Sequence, residues 1–150
     1  MMTTERSTKT RLLATFEVGG ALFAMDAEGV QEVVRLGPLT PVSHSAGEVK
    51  GILNLRGKIV TILDLGQRLG LGAAARNGAS RVFIVEHQGE FVGLLVDKAG
   101  DVVEIGHDGL EPAPANVSRA QGRFIRGVAR SCEQVITVVD TDLLAGDLGE

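Results

Sequence analysis

The sequence predicts an all-β protein made of two similar five-stranded units. Three observations carry this prediction. Glycine is abundant at 20 residues while aromatics make up only 3%, with no Trp or Tyr; short β-branched runs cut by glycines and polar residues read as many short strands joined by tight turns. The stretch Gly51 to Gly70 reads as strand, turn, strand and short helix. The same pattern then recurs: Gly51, Thr61 and Asp64 reappear as Gly127, Thr137 and Asp140 at one offset (127 − 51 = 76). Ile52, Ile59, Val60, Ile62 and Leu63 meet Val128, Val135, Ile136, Val138 and Val139 at that offset, so apolar positions match throughout the hairpin.

Taken in order, residues 1–10 form a polar lead-in without the apolar core of a signal peptide and are expected to be disordered. Leu12, Ala14, Phe16 and Val18 alternate with Leu13, Thr15 and Glu17 as in a strand. Gly19-Gly20 is a two-residue hairpin signal, and Ala21–Met25 is the return strand, ended by Asp26. Across Ala27–Val34 the valines have helical spacing, but Gly29 and β-branching oppose a helix, which predicts one helical turn passing into a strand. Gly37 to Gly47, with Pro38 and Pro41, is a loop.

In the central hairpin Ile52, Asn54 and Arg56 share one face and Leu53 and Leu55 the other. Gly57 supplies the positive φ of the turn. Ile59, Val60, Ile62 and Leu63 make a strand expected to be buried on both faces or nearly so. Asp64 with Gln67 three residues on fits a helix N-cap. Leu71–Ser80 is small and polar and reads as a mobile connection. Arg81–His87 and Glu90–Val96 form a hairpin around Gln88-Gly89, and Asp101–Ile105 is a strand. Asp108-Gly109-Leu110-Glu111 resembles a capping box. Arg123–Arg130 and Gln134–Val139 form a last hairpin, Asp140 opens a short helix, and 146–150 is expected to fray. One unit is placed mainly in 20–70 and the other mainly in 81–145, with the early strands free to cross between them.

Burying each repeated apolar side chain stabilises the fold by roughly 1.5–3 kcal/mol, so the repeated positions hold the scaffold. What fails to repeat points elsewhere. Asn54, Arg56 and Gly57 meet Arg130, Cys132 and Glu133. The second copy folds without an Asn-Leu-Arg-Gly tetrapeptide, so that corner is a candidate for function or for the junction between units.

Composition excludes several classes. A net charge of −4, five Phe and no Trp or Tyr argue against a nucleic-acid binder, which needs a basic face and stacking rings. The single cysteine, Cys132, allows neither a disulfide framework nor a cysteine metal site within the chain, and it suits a reducing cytosol. No apolar run is long enough to span a bilayer. His44, His87 and His107 are scattered without ligand spacing, so no metal is expected. Ser43-His44-Ser45 lacks a nucleophile-elbow context. Asp26, Asp64, Asp97 and Asp140 each follow an apolar strand; an acid–base pair among them is one reading, and caps and turns are the favoured one. Gly70-Leu71-Gly72 follows a helix, not a strand, and reads as a linker. For Arg56 spacing alone favours an exposed arginine at a hairpin end over a partner contact, since exposed ion pairs usually contribute little.

The ordered set Phe23-Ala24-Met25-Asp26, Val30-Gln31-Glu32-Val33, Pro41, Gly51-Ile52-Leu53-Asn54-Leu55-Arg56-Gly57, Ile59–Leu65, Phe124-Ile125-Arg126-Gly127-Val128 and Val138-Val139-Asp140-Thr141-Asp142-Leu143-Leu144 resembles the CheW-type chemotaxis coupling proteins and the related regulatory domain of the histidine kinase CheA. It spans roughly residues 11–145. The resemblance implies two SH3/OB-like five-stranded β-barrels sharing an apolar seam, no catalysis and no cofactor. It implies a cytoplasmic adaptor, at arrays on the inner face of the membrane, that links the cytoplasmic tip of methyl-accepting chemoreceptors to CheA without inserting into the membrane. It shifts Arg56 to the functional reading. Ala27, Val30, Glu32, Gly51, Asn54, Arg56 and Gly57 are implied to contact the receptor. Gly93, Ala99 and Val102 are implied to serve kinase coupling in the second barrel. The family pattern has prolines where Thr61 stands, a mild change because Thr is a good strand former, and near Ser43 and Ala46. The altered loop at Ser43–Ala46 supports an alternative: a one-partner or branch-specific coupler or decoy in a non-flagellar pathway.

Overall fold

The computed structural model describes residues 10–42, 47–106, 109–113, 122–131 and 133–146. The readings made for 1–9, Ser43–Ala46, His107, Asp108, Cys132 and 147–150 lie outside these residues.

Among the described residues, eleven strands and two short α-helices follow one another. The strands are β1 Thr10–Val18, β2 Ala21–Asp26, β3 Val30–Arg35, β4 Val49–Leu55, β5 Lys58–Asp64, β6 Arg81–His87, β7 Glu90–Val96, β8 Lys98–Gly106, β9 Leu110–Glu111, β10 Ile125–Ser131 and β11 Gln134–Val139. The helices are α1 Leu65–Arg68 and α2 Thr141–Ala145, and a single 3₁₀ turn, Ala27–Gly29, leads into β3 as the conflict between valine spacing and Gly29 predicts. Asp64 and Asp140 cap α1 and α2, accepting hydrogen bonds from the backbone N–H of Gln67 (3.0 Å) and Leu143 (3.1 Å). Leu110–Glu111 is a strand on β10 rather than the start of a helix.

The sheet order shows how the repeat is used. One sheet runs β3-β6-β7-β5-β4 and the other β8-β1-β2-β11-β10-β9. Apart from the added β9, both share one scheme: an antiparallel edge strand, a hairpin, a parallel junction (β7 with β5, β2 with β11) and a second hairpin. The sheets are therefore not sequence-contiguous. Hairpin β6–β7 completes the sheet of β3, β4 and β5, while β1–β2 completes the sheet of the C-terminal strands. The stretches 20–70 and 81–145 each contribute to both sheets: the early strands cross, as the sequence reading allowed, and β6–β7 crosses in return, so the two units exchange their first hairpins.

The exchange has a packing cause. The exchanged hairpins are apolar on both faces and so need cover on both. Val82 and Ile84 join Leu53, Val60, Ile62 and Leu95 inside the first sheet, and Leu13 and Ala24 join Ile136 and Val138 inside the second. Their opposite faces meet at the seam between sheets, where Phe16, Phe23, Met25, Phe83, Val92 and Leu94 pack with Leu63, Val139 and Leu144. Phe16 stacks on Phe23 at 5.9 Å and tilts against Phe83 at 5.5 Å, inside the range where ring pairs add to plain burial. Ile59 departs from its expected burial: it is 60% exposed at the start of β5, beyond the reach of the seam.

The connection 71–80 is pinned, against its reading as mobile. Asp64 accepts the Ala74 N–H on both carboxylate oxygens at 3.0 Å, and Asp97 accepts the Ala75 N–H at 2.6 Å. Asp97 also accepts the Gly19 N–H at 3.0 Å.

Candidate functional site

The unrepeated tetrapeptide lies at the open end of the five-stranded sheet. Leu55 pairs with Lys58, leaving Arg56 and Gly57 as a two-residue turn with φ of 49° and 87°. Two consecutive positive φ values define the mirror-type turn whose twist suits a hairpin. Asn54 Oδ1 accepts the Gly57 N–H at 3.0 Å, so the asparagine holds the turn that presents the arginine. Arg56 Nη2 donates to Glu32 Oε1, and their side chains are 68% and 34% exposed. Glu32 belongs to β3 and Arg56 follows β4, the two edges of this sheet. The ion pair thus spans the gap between edges. Beneath it is a cleft of ≈ 120 Å³ lined by residues that include Gln31, Val60, Ile84 and Phe91, with Lys58 Nζ 4.6 Å from the Phe91 ring centre.

The other sheet has the same place without the arginine–glutamate pair. There Thr15 stands where Ile84 does, because each pairs through its hairpin to the repeat-related Val138 and Ile62. The edge strand bulges between Ala99 and Val102, and the Thr15 hydroxyl donates to the Asp101 carbonyl at 2.6 Å. This opening is larger, ≈ 340 Å³, lined among others by Glu17, Lys98, Gly100 and Gln134. The scaffold therefore closes without the Asn-x-Arg corner, and that corner is solvent-facing.

Of the residues singled out for receptor contact, the structure brings together Glu32, Asn54, Arg56 and Gly57. Ala27 and Val30 are partly buried against the seam. Gly51 is buried, at φ 146°, and a Cβ there would stand 2.6 Å from the Thr40 carbonyl oxygen; Thr40 and Ile52 exchange backbone hydrogen bonds of 2.9 and 2.8 Å at that point. Gly127 repeats the close approach but not the positive φ, with the Glu111 carbonyl oxygen 2.4 Å from where a Cβ would stand, so both glycines admit a neighbouring segment. Gly93 lies in the first sheet, not the second barrel: a Cβ there would meet Ile62 and Val82, both at 2.6 Å. Ala99 is partly buried at the seam, and Val102 is 59% exposed on β8. His87 Nδ1 lies 3.5 Å from Asp142, and among the described residues no group of His, Cys, Asp and Glu is arranged to hold a metal.

Sequence reasoning missed Arg68. Its side chain is 7% exposed and its guanidinium pairs with Glu48 at 2.9 Å. The signal was available, because at the repeat offset Arg68 meets Leu144.

The CheW-like domain model matches residues 13–148. The chain belongs to the CheW-like domain family. It is 32% identical over 132 residues to the chemotaxis protein CheW of Rhizobium meliloti, covering 88% of this chain and 85% of that one. It is 31% identical over 113 residues to protein PilI of Pseudomonas aeruginosa, covering 75% and 64%. The crystal structure of scaffolding protein TtCheW from Thermoanaerobacter tengcongensis superposes with a TM-score of 0.82 at 31% identity, over 91% of this chain and 88% of that one. The two-sheet, mostly β architecture is thus that of a CheW scaffold, and the chain is a CheW-type adaptor of chemotaxis signalling. Among the described residues no helix is long and apolar enough to cross a membrane.

Proposed function

We propose that this chain links the cytoplasmic tip of methyl-accepting chemoreceptors to the regulatory domain of the histidine kinase CheA, in the cytoplasm at receptor–kinase arrays, without performing chemistry itself. The observation that carries the reading is the exposed corner of Glu32, Asn54, Arg56 and Gly57 on one sheet, whose Asn-Leu-Arg-Gly sequence does not recur at the repeat-related positions Arg130 to Glu133. A planar guanidinium with five donors, held by a stiff turn and paired on only one side, keeps donors free for a second carboxylate or for helix-end carbonyls. Ala27 and Val30 support this face from the seam, and Gly51 shapes the strand behind it. Val102, exposed on β8 of the other sheet, is assigned to the kinase-facing surface, with Gly93 and Ala99 acting through packing.

An adaptor of this kind acts through geometry. Small differences in contact between two array states shift the kinase between populations. The test is co-sedimentation: receptor-bearing membranes should retain the kinase only when this protein is added. A chain that binds the receptor yet gives no saturable signal with isolated kinase regulatory domain would replace the bridging reading with the one-partner reading.

A further inference from the structure

The repeat breaks in a second place, at the contact between the two units. Glu48 and Phe124 are repeat-related: Asp64 N–H donates to the Glu48 carbonyl at 2.8 Å, and Asp140 N–H to the Phe124 carbonyl at 2.7 Å. Arg68 and Leu144 are the matching positions on α1 and α2. Glu48, Phe124 and Leu144 all converge on the Arg68 guanidinium. Arg68 Nη1 donates to Glu48 Oε2 at 2.9 Å, Nε to the Leu144 carbonyl at 3.2 Å, and Nη2 to the carbonyls of Leu143 at 3.4 Å and of Gly146. Its carbon centre lies 5.0 Å from the Phe124 ring centre.

Arg68 and its repeat-related Leu144 thus meet at the contact between the two units. An arginine kept in both copies would face a second buried guanidinium, with no carboxylate to spare. One arginine against one leucine removes that repulsion and leaves a charged fork aimed at the unpaired carbonyls ending the opposite helix. The apolar seam around it is non-directional and resists rotation only by opening voids. Arg68 adds direction, because its donors lose their acceptors when one sheet turns against the other.

We infer that Arg68 is a positioning residue that sets the angle between the two sheets, and thereby the relative placement of the receptor-facing and kinase-facing surfaces. The second half of this statement rests on the proposed function; the first does not. The experiment keeps them apart. In the full chain with Cys132→Ser, spin labels at Ile59→Cys and Val135→Cys, repeat-related and each 60% exposed, report the distance between sheets by pulsed electron resonance. The parent should give one narrow distribution. Arg68→Met should broaden it or add a second maximum, and Arg68→Lys, which keeps the charge but not the fork, should fall between. An unchanged distribution in Arg68→Met overturns the inference. Should Arg68→Met fail to fold, Glu48→Gln and Arg68→Lys decide in the same way, unchanged distributions in both overturning it. With receptor tip and kinase added, Arg68→Met should keep each binary affinity and lose about fivefold or more in kinase activation. Loss of both binary affinities in step with stability would mark a purely structural residue and overturn the positioning role. A parent protein that never bridges the two partners refutes the proposed function and with it the second half of the statement, leaving the distance measurement to judge the first.

Discussion

Reversing the charge at Arg56 separates an internal clasp from a docking residue. Both partners of the Arg56–Glu32 pair are solvated, with side chains 68% and 34% exposed, so losing the pair should cost about 0.2–1 kcal/mol. Arg56→Glu also sets two carboxylates against each other, worth roughly another 1 kcal/mol near water's dielectric. The sum, about 1–2 kcal/mol, is a minor part of a stability of about 5–15 kcal/mol and should lower Tm by a few degrees. Binding to a soluble receptor tip should suffer more. Removing a charge-assisted contact costs about 1.5–3 kcal/mol, or roughly a tenfold to hundredfold rise in Kd by calorimetry. The decisive variant is the exchange Glu32→Arg with Arg56→Glu. It rebuilds the internal pair in reverse and so should recover the lost stability in urea titration, while presenting the wrong charge to the receptor. If the exchange restores receptor affinity as well as stability, Arg56 serves only to join the sheet edges, and the docking argument is refuted.

Three further outcomes follow from the same geometry. Gly51→Ala should destabilise by about 2–4 kcal/mol in urea unfolding, since it combines backbone strain at its positive φ with loss of the Thr40–Ile52 hydrogen bonds, and Gly127→Ala, which lacks that strain, should cost less, about 1–3 kcal/mol, through its clash with the Glu111 carbonyl alone; a cost below about 0.5 kcal/mol at either would show that the neighbouring segment yields freely. Asp64→Asn should cost about 1–3 kcal/mol, because a buried acceptor of the Gln67 and Ala74 N–H groups gains an amide donor it cannot place, whereas Asp140→Asn should cost only a few tenths because asparagine caps helices well; equal thermal shifts would refute the distinction. Val102→Asp should stay within about 0.5 kcal/mol of the parent yet weaken binding to the kinase regulatory domain, and undiminished binding would remove β8 from that surface.

The hairpins, the caps and the offset of 76 were legible because each is written in local spacing. Period-2 alternation, paired turn residues and an aspartate three residues before its N–H partner need no knowledge of distant chain. The Asn54–Gly57 corner was legible for a related reason: it is the place where a duplicated pattern stops repeating. Local spacing misled where burial depends on the neighbour. Ile59 has the composition of a core position but projects past the end of the seam. Gly93 is assigned to the second barrel by resemblance, yet it lies on β7 of the first sheet, where its lack of a Cβ lets Ile62 and Val82 close over it. The polar segment 71–80 has no apolar pattern to declare it ordered, and two aspartate side chains from elsewhere pin it.

By itself, then, the sequence determined an all-β duplication, its turn chemistry and the unrepeated polar corner. The tertiary structure decided the rest. Alternation states that a strand has two apolar faces without naming what covers each, so only the fold could show that the first hairpins are exchanged between units. For the same reason only the fold could bring Glu32 across to Arg56, and Arg68 to the carbonyls of a helix more than seventy residues away. Such pairings join groups that are remote in the chain, and their energies depend on distance and burial in space, which residue order alone does not encode.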